Sequence, residues 1–320
     1  MKYSKLGIPY MGSKRKIAGE LVDYILENNP NCKYFYDLFG GGGAVSLEMA
    51  SRKLPIKIIY NEYDSAIVEL FKKIQKDGVT EEFYKWVSRE EFFKYKDGKD
   101  WYSGLVKTCW SFGNKGSSYL YGKNIEEKKH LAHNIVLKNS KNDMNLFNLV
   151  FGLNLDISDI IGNTVNEKRL SFQRLLKKEV EDFSIFKGFC ITKKEKFGNV
   201  LQHLERIQHL ERIQHLERIQ HLERIKFKNC SYDEVLINTP INETIIYCDP
   251  PYKNTGKYQN NIDHDKFNEW VKNNQYKVYI SEYESIFNEF KCWNTRSTLS
   301  ATNNSKKTTE KLFCNKGENI

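Results

Sequence analysis

Residues 34–43 read Tyr34-Phe35-Tyr36-Asp37-Leu38-Phe39-Gly40-Gly41-Gly42-Gly43. The first four form a short aromatic strand pattern. The glycines let the backbone turn sharply and approach a ligand closely. Ala44 to Arg52 then reads as a helix, and Ile56 to Asn61 as a second strand. A further helix is expected from about Asp64 to Lys76. Strand, glycine loop, helix and strand in this order build a doubly wound α/β sheet. Strand patterns return near the other end, at Ile225–Asn229, Thr244–Cys248 and Tyr276–Ser281. The expected fold class is therefore α/β, a doubly wound and mostly parallel sheet.

The intervening chain is different. It is helical in pattern, rich in lysine, asparagine and aromatics, and broken by Gly104, Gly113, Gly116 and Gly122. This predicts a sheet domain made of residues 1–64 and 225–320, interrupted by a helical insert at 65–200. Residues 201–225 stand apart, because 202–225 are four identical copies of Gln-His-Leu-Glu-Arg-Ile. With no glycine or proline, they are expected to form one continuous helix. Apolar residues fall every third position, so the stripe slips about 60° per step and winds round that helix. Burial along its length is not expected. If the helix is rigid, deleting three copies (five whole turns) retains more activity than deleting two.

The 320 residues predict one large domain or two. Hydrophobic residues at 40% and charged residues at 28% exclude a disordered chain and a small disulfide scaffold. Seven cysteines without a Cys-x-x-Cys pair argue against a disulfide framework and a zinc site. No apolar run approaches a membrane span, and a cytoplasmic protein is expected. A formal charge of +9 suits a polyanionic partner.

Two motifs carry chemistry. The glycine loop is followed about 20 residues later by Asn61-Glu62-Tyr63-Asp64. A carboxylate there can accept from ribose hydroxyls, which points to an adenosine-containing cofactor. No Gly-x-Gly-x-x-Gly and no phosphate-binding Gly-Lys-Ser/Thr occurs, so nicotinamide nucleotides and ATP are disfavoured. The second motif is Thr244-Ile245-Ile246-Tyr247-Cys248 running into Asp249-Pro250-Pro251-Tyr252. Proline has no N–H, so the tetrad offers acceptors: the Asp249 carboxylate and backbone carbonyls. The exocyclic amino group of a base is a two-hydrogen donor, and two acceptors would aim its nitrogen at an electrophile. Tyr252 offers a flat face on which an extruded base could stack.

These residues carry a resemblance. The chain resembles a Dam-type DNA adenine-N(6) methyltransferase, over most of residues 6–285. Tyr10-Met11-Gly12-Ser13-Lys14 resembles the N-terminal cofactor motif, and Asp37–Gly43 the Asp-Pro-Phe-x-Gly-x-Gly motif. Glu62 falls on the ribose-binding acid, and Asp249–Tyr252 on the catalytic tetrad. Thr255 to Tyr258, Asp263-His264 and Ser281-Glu282-Tyr283 flank it in a similar way. The departures are Leu38 for proline, the added Gly40, Tyr10 for a frequent tryptophan, and Glu62 for aspartate.

The resemblance implies S-adenosylmethionine as donor and N(6)-methyladenine in duplex DNA as product, with base flipping. It implies Tyr10, Lys14, Asp37, Phe39, Gly41, Gly43, Glu62 and Asp249 at the cofactor, and Asp249, Pro250, Pro251 and Tyr252 at the reacting base. A monomer without metal, as in restriction-modification systems, is expected. The alternatives are a cytosine-N(4) methyltransferase and a non-catalytic DNA-binding relative.

The insert is the expected DNA reader. Between 107 and 141 it carries seven lysines against Glu126 and Glu127, interleaved with Trp110, Phe112, Tyr119 and Tyr121. Ser111 to Gly116 reads as a loop able to enter a groove. Phe112, Asn114, Lys115, Tyr119 and Lys123 are the candidate DNA contacts, with Arg169 and Arg174 as further ones.

Overall fold

The computed structural model describes residues 6–185, 206–252, 262–298 and 305–316. Seven strands form one sheet in the order β3-β2-β1-β4-β5-β7-β6. They are β1 (Tyr34–Asp37), β2 (Lys57–Asn61), β3 (Ile225–Lys228), β4 (Thr244–Cys248), β5 (Lys277–Glu282), β6 (Asn288–Thr298) and β7 (Ser305–Cys314). Strands β1 to β5 are parallel, and β7 runs antiparallel to both β5 and β6. This is the doubly wound, mostly parallel sheet that the glycine-loop unit predicts. The antiparallel β6–β7 pair was not legible in the sequence.

The parallel strands read as apolar runs because both faces are covered. Tyr36, Leu38, Ile246, Val278 and Ile280 pack with Phe267 and Val271 of a helix at His264–Asn273. Elsewhere in the unit, α1 (Ala18–Glu27) buries Leu21, Val22 and Ile25, and α2 (Ala44–Ser51) is buried from Ala44 to Ala50. Helix α3 (Ser65–Asp77) starts at Asp64, whose carboxylate accepts from the Ala66 N–H at 3.0 Å. Such a cap contributes about 1 kcal/mol.

The sheet order fixes where a ligand can sit. The chain leaves β1 toward β2 and β3, then returns to place β4 on the other side of β1. Ligands of open α/β sheets bind outside the carboxyl ends of the strands at such a switch point. Asp37 ends β1 opposite Tyr247 of β4, and Asp249 follows β4 by one residue past Cys248.

The chain divides into two compact units. One comprises residues 1–78, 98–105 and 218–320 and holds the sheet; the other comprises 79–97 and 106–217. The second is helical, with α4 (Arg89–Tyr95), α6 (Lys123–Lys138), α7 (Lys141–Phe151), α8 (Val165–Ile185) and α9 (Gln208–Glu217); α5 (Trp101–Cys109) spans the division.

The repeat departs from the expectation of one helix to Ile225. Helix α9 covers the second copy and part of the third, then ends at Glu217. His221 adopts a left-handed conformation (φ 65°), Leu222–Arg224 form a 3-10 turn, and Ile225 opens β3 beside Ile58. The same hexapeptide is thus helix in one copy and turn-to-strand in another. The first copy up to Glu205 lies outside the described residues. Nor is the helix unburied: Ile207, His209, Leu210, Ile213 and Leu216 are buried. The three apolar positions within α9, Leu210, Ile213 and Leu216, are two steps apart in all and span about 120°, so the helix can be packed on one side while it stays short.

His209 closes a polar cluster in the helical unit. Its Nδ1 lies 2.7 Å from the Tyr121 hydroxyl, and its Nε2 lies 2.9 Å from His133 Nδ1. Its ring stacks on Trp110 with centroids 4.1 Å apart. Burial holds both histidines in the neutral form, His133 down to about 3.

An advantage of a three-copy over a two-copy deletion requires one rigid helix to Ile225, and α9 ends at Glu217. A different expectation replaces it. Removing one copy leaves three identical copies to fill positions 208–225. Removing two brings Phe197 and Gly198 to the places of buried His209 and Leu210. The one-copy deletion should melt near the full-length protein, and the two-copy deletion should lose about 2–5 kcal/mol. Equal losses in a denaturant titration would contradict this.

Candidate functional site

The glycine loop is fixed from both neighbouring strands. The Gly40 N–H donates to Asn61 O at 2.8 Å, and the Leu38 N–H to Tyr247 O at 3.0 Å. The Tyr60 hydroxyl donates to Gly41 O at 2.6 Å. Gly40 is no spare residue, since a Cβ there would lie 2.1 Å from the Tyr60 ring. Gly43 takes φ 71° as the N-cap of α2, a conformation that favours glycine. Tyr10 covers the loop: Cβ atoms built on Gly41 and Gly42 would meet its side chain at 3.0 and 2.8 Å.

Glu62 ties the loop to the end of β2. Its Oε2 accepts from the Gly41 N–H at 2.8 Å and its Oε1 from the Asp64 N–H at 2.9 Å. Burial raises its pKa, and the two N–H groups oppose that shift. A carboxylate has about four lone-pair sites, so each oxygen keeps acceptor capacity.

Asp37 is 1% exposed. Its Oδ2 accepts from the Ser46 hydroxyl at 2.7 Å, while Oδ1 has no hydrogen-bond partner among the described residues. Burial pushes its pKa up to about 7; the Ser46 bond opposes the shift, and the Asp249 and Glu62 charges add to it. An orphan acceptor of this kind suits a cationic donor brought by a ligand.

Asp249 is compensated. The Lys14 ammonium, itself 6% exposed, donates to Asp249 Oδ1 at 2.7 Å. The same nitrogen lies 3.7 Å from Glu310 Oε2 and 4.7 Å above the centre of the Tyr252 ring. Burial pushes the Asp249 carboxyl up to about 6, against Lys14, which holds it down; the Glu310 charge raises it further. The Tyr252 hydroxyl donates to Glu310 Oε2 at 2.7 Å, and Tyr283 meets the Tyr252 ring edge-on at 4.7 Å. Tyr252 is buried, so its ring is not the open stacking platform that the sequence suggested. Pro250 is buried and Pro251 half-buried.

One region of the sheet unit thus holds Tyr10, Lys14, Asp37, Gly41, Gly43, Glu62, Asp249 and Tyr252. Phe39 turns partly away, stacking on Tyr232 at 5.3 Å and meeting Phe267 edge-on at 5.6 Å. Of the flanking segments, Tyr283 adjoins Tyr252. Asp263 instead caps the helix at His264–Asn273. Thr255 to Tyr258 lie outside the described residues. Glu310 carried no signal in the sequence. It sits on β7, far from any motif, and only the antiparallel return of that strand brings it to this edge.

The helical unit sorts the DNA-contact candidates. Ser111 and Tyr119 bridge, closing a hairpin loop with the Phe112 N–H donating to Ser118 O at 2.7 Å. Phe112, the residue next to the bridge, is 59% exposed, and Lys115 and Lys123 are exposed. Asn114 is half-buried with φ 58°. Tyr119 is a correction. It is 4% exposed, its hydroxyl donates to Val87 O at 2.8 Å, and its ring packs with Trp110 and Phe92. It belongs to the core, as do Trp110 and Tyr121. Arg169 is also buried, bonded to Glu211 and Asn166, whereas Arg174 is exposed.

No helix among the described residues is long and apolar enough to cross a membrane. Nor do three or more His, Cys, Asp or Glu side chains among them converge as for a metal ion.

Asp37 yields a stability prediction. Its folded pKa lies above its unfolded value, so its ionisation costs stability as pH rises from about 4 to about 7. Asp37→Asn removes that cost and keeps an acceptor for Ser46. The variant's advantage in Tm over the parent should grow between pH 5 and pH 8. A gap independent of pH would contradict the buried, unpaired carboxylate.

Compared with known families, residues 10–313 match the model of the D12 class N6 adenine-specific DNA methyltransferases. Comparison with curated proteins finds no match.

Proposed function

The chain belongs to the D12 class N6 adenine-specific DNA methyltransferases, and from that premise we propose how its residues divide the transfer of a methyl group to adenine N6 in DNA. The observation that carries the reading is the half-buried Asp249, ion-paired with the buried Lys14 at 2.7 Å at the carboxyl end of β4 and next to Asp37.

S-adenosylmethionine fits the residues of this edge. It carries an ammonium, a sulfonium and a carboxylate, and is a cation overall. The edge has an excess of acids over Lys14, and the partnerless Asp37 Oδ1 suits the ammonium. Glu62 would accept from the ribose hydroxyls, Tyr10 and the glycine loop would wall the site, and Phe39 would border it. When bound, the cofactor supplies an electrophilic methyl group.

The adenine amino group is a poor nucleophile because its lone pair is delocalised into the ring. Asp249 and the backbone carbonyl of Pro250 would accept its two hydrogens and turn the nitrogen toward the methyl group. Neither proline of the tetrad can donate, so no N–H competes for these acceptors. Positive charge develops on the amine during transfer, and the ionised Asp249 stabilises it. Lys14 keeps Asp249 ionised and oriented. Reaction at the amino group of a base needs that base out of the duplex stack, and Tyr252 would border such an extruded base.

The hairpin of the helical unit supplies the DNA contact. The exposed Phe112 would act as a wedge, and Lys115 in the loop and Lys123 at the start of α6 would hold phosphates. Asn114 would reach a base edge.

Incubation with duplex DNA and S-adenosylmethionine, then digestion and mass spectrometry of nucleosides, tests the site. N(6)-methyladenine should form, and Asp249→Ala should abolish it. Asp249→Asn, which keeps an oxygen acceptor but loses the charge, should lower kcat by about 100-fold or more. An unchanged yield from Asp249→Ala would refute the assignment, and methylcytosine would change the base. For the hairpin and the start of α6 that follows it, Lys115→Ala and Lys123→Ala should each reduce the salt slope of DNA binding by about one. An unchanged slope in both removes the hairpin from the interface.

A further inference from the structure

Glu310 belongs to none of the motifs above, yet it contacts one end of the tetrad, Tyr252, and reaches the other, Asp249, through Lys14. Strand β7 pairs with β5 through Lys311, which lies opposite Glu282 at the carboxyl end of β5. Because β5 is parallel to β4, this end shares an edge with Asp249. One residue past that pairing, Glu310 accepts the Tyr252 hydroxyl at 2.7 Å, on a tyrosine that is 8% exposed. Its Oε2 also lies 3.7 Å from the Lys14 ammonium that binds Asp249.

A tyrosine ring rotates about two bonds, and packing alone fixes its plane only as well as its neighbours allow. A hydroxyl bonded to a carboxylate is pinned more firmly than one bonded to a neutral acceptor. Glu310 therefore fixes the far end of the Tyr252 ring while the chain at Pro251 fixes the near end. The same carboxylate balances Lys14, so that the ammonium bridges the two acids and lies over the ring. Tyr252 and Lys14, and Asp249 through Lys14, are thus oriented through one side chain.

Resting on the proposed methyl-transfer reading, we propose that Glu310 is a positioning residue for the reaction, aligning Tyr252 through its hydroxyl and Lys14 through its charge. It touches neither substrate nor cofactor. Its removal should therefore lower turnover without removing cofactor affinity.

The test is a double-substitution cycle in the full chain, with kcat, the KM for DNA, and S-adenosylmethionine affinity by calorimetry as readouts. Glu310→Ala should lower kcat between about 10- and 100-fold, the scale of one charged hydrogen bond. Cofactor affinity should stay within about threefold. Glu310→Gln, whose amide oxygen still accepts the hydroxyl, should recover part of the rate. Combined with Tyr252→Phe, Glu310→Ala should lose far less than it does alone, because most of its effect passes through the missing hydroxyl. Full turnover in Glu310→Ala, or losses that multiply in the double variant, would overturn the assignment. Should Glu310→Ala fail to fold, the Glu310→Gln cycle decides. A loss that shrinks in the Tyr252→Phe background supports positioning, and an equal loss in both backgrounds refutes it. Methyl transfer that persists while Glu310 variants change nothing sinks this assignment alone. No transfer by the unsubstituted protein sinks the parent reading, and this with it.

Discussion

A carboxylate withdrawn from water stays ionised only where a charge or a hydrogen bond compensates it. For Asp249 that compensation is Lys14, at 2.7 Å. At an effective dielectric of 20, opposite charges 4 Å apart attract by about 4 kcal/mol, which is comparable to the penalty it opposes. Burial still has the upper hand, since the carboxyl is pushed up to about 6. Asp249 is thus held near the point where neutral pH keeps it charged. The rest of the sheet unit serves this balance. Strand β4 delivers Asp249, the segment before α1 delivers Lys14, and β1 sets Asp37 alongside.

Asp37 shows the other half of the same electrostatics. Among the described residues it has no ammonium against it, only the hydroxyl and backbone N–H of Ser46, and its carboxyl is pushed higher, to about 7. The two aspartates and Glu62 raise or resist one another's ionisation across the switch point. Such an edge favours a cationic ligand over a neutral or anionic one. Fold and chemistry converge here, because the crossing that puts β4 beside β1 also brings the acids together.

The sheet and the chemistry were legible where local pattern and tertiary role coincide. The run from Tyr34 to Gly43 could only be a strand entering a tight turn, and Thr244 to Tyr252 an apolar strand ending in prolines. The aromatics of the insert were not legible as core or surface. Tyr119 and Phe112 lie in the same lysine-rich segment, and only the hairpin bridge at Ser111 and Tyr119 decides which of them points inward. Glu310 was invisible because its role depends on an antiparallel return with no local signature. The repeat misled for a related reason. Four identical hexapeptides have one propensity, yet Leu210 packs in a helix and Ile225 pairs in a strand. Context outside the hexapeptide chose between them.

The site turns on a half-buried Asp249 that Lys14 keeps near ionisation. The direct measurement is the carboxyl titration of Asp249, followed by carbon-detected NMR on the labelled protein and on Lys14→Met. A midpoint near 6 in the parent, moving to higher pH when the ammonium is removed, is the predicted result. A midpoint near 4 in both proteins, the ordinary value for an aspartate in water, would contradict it.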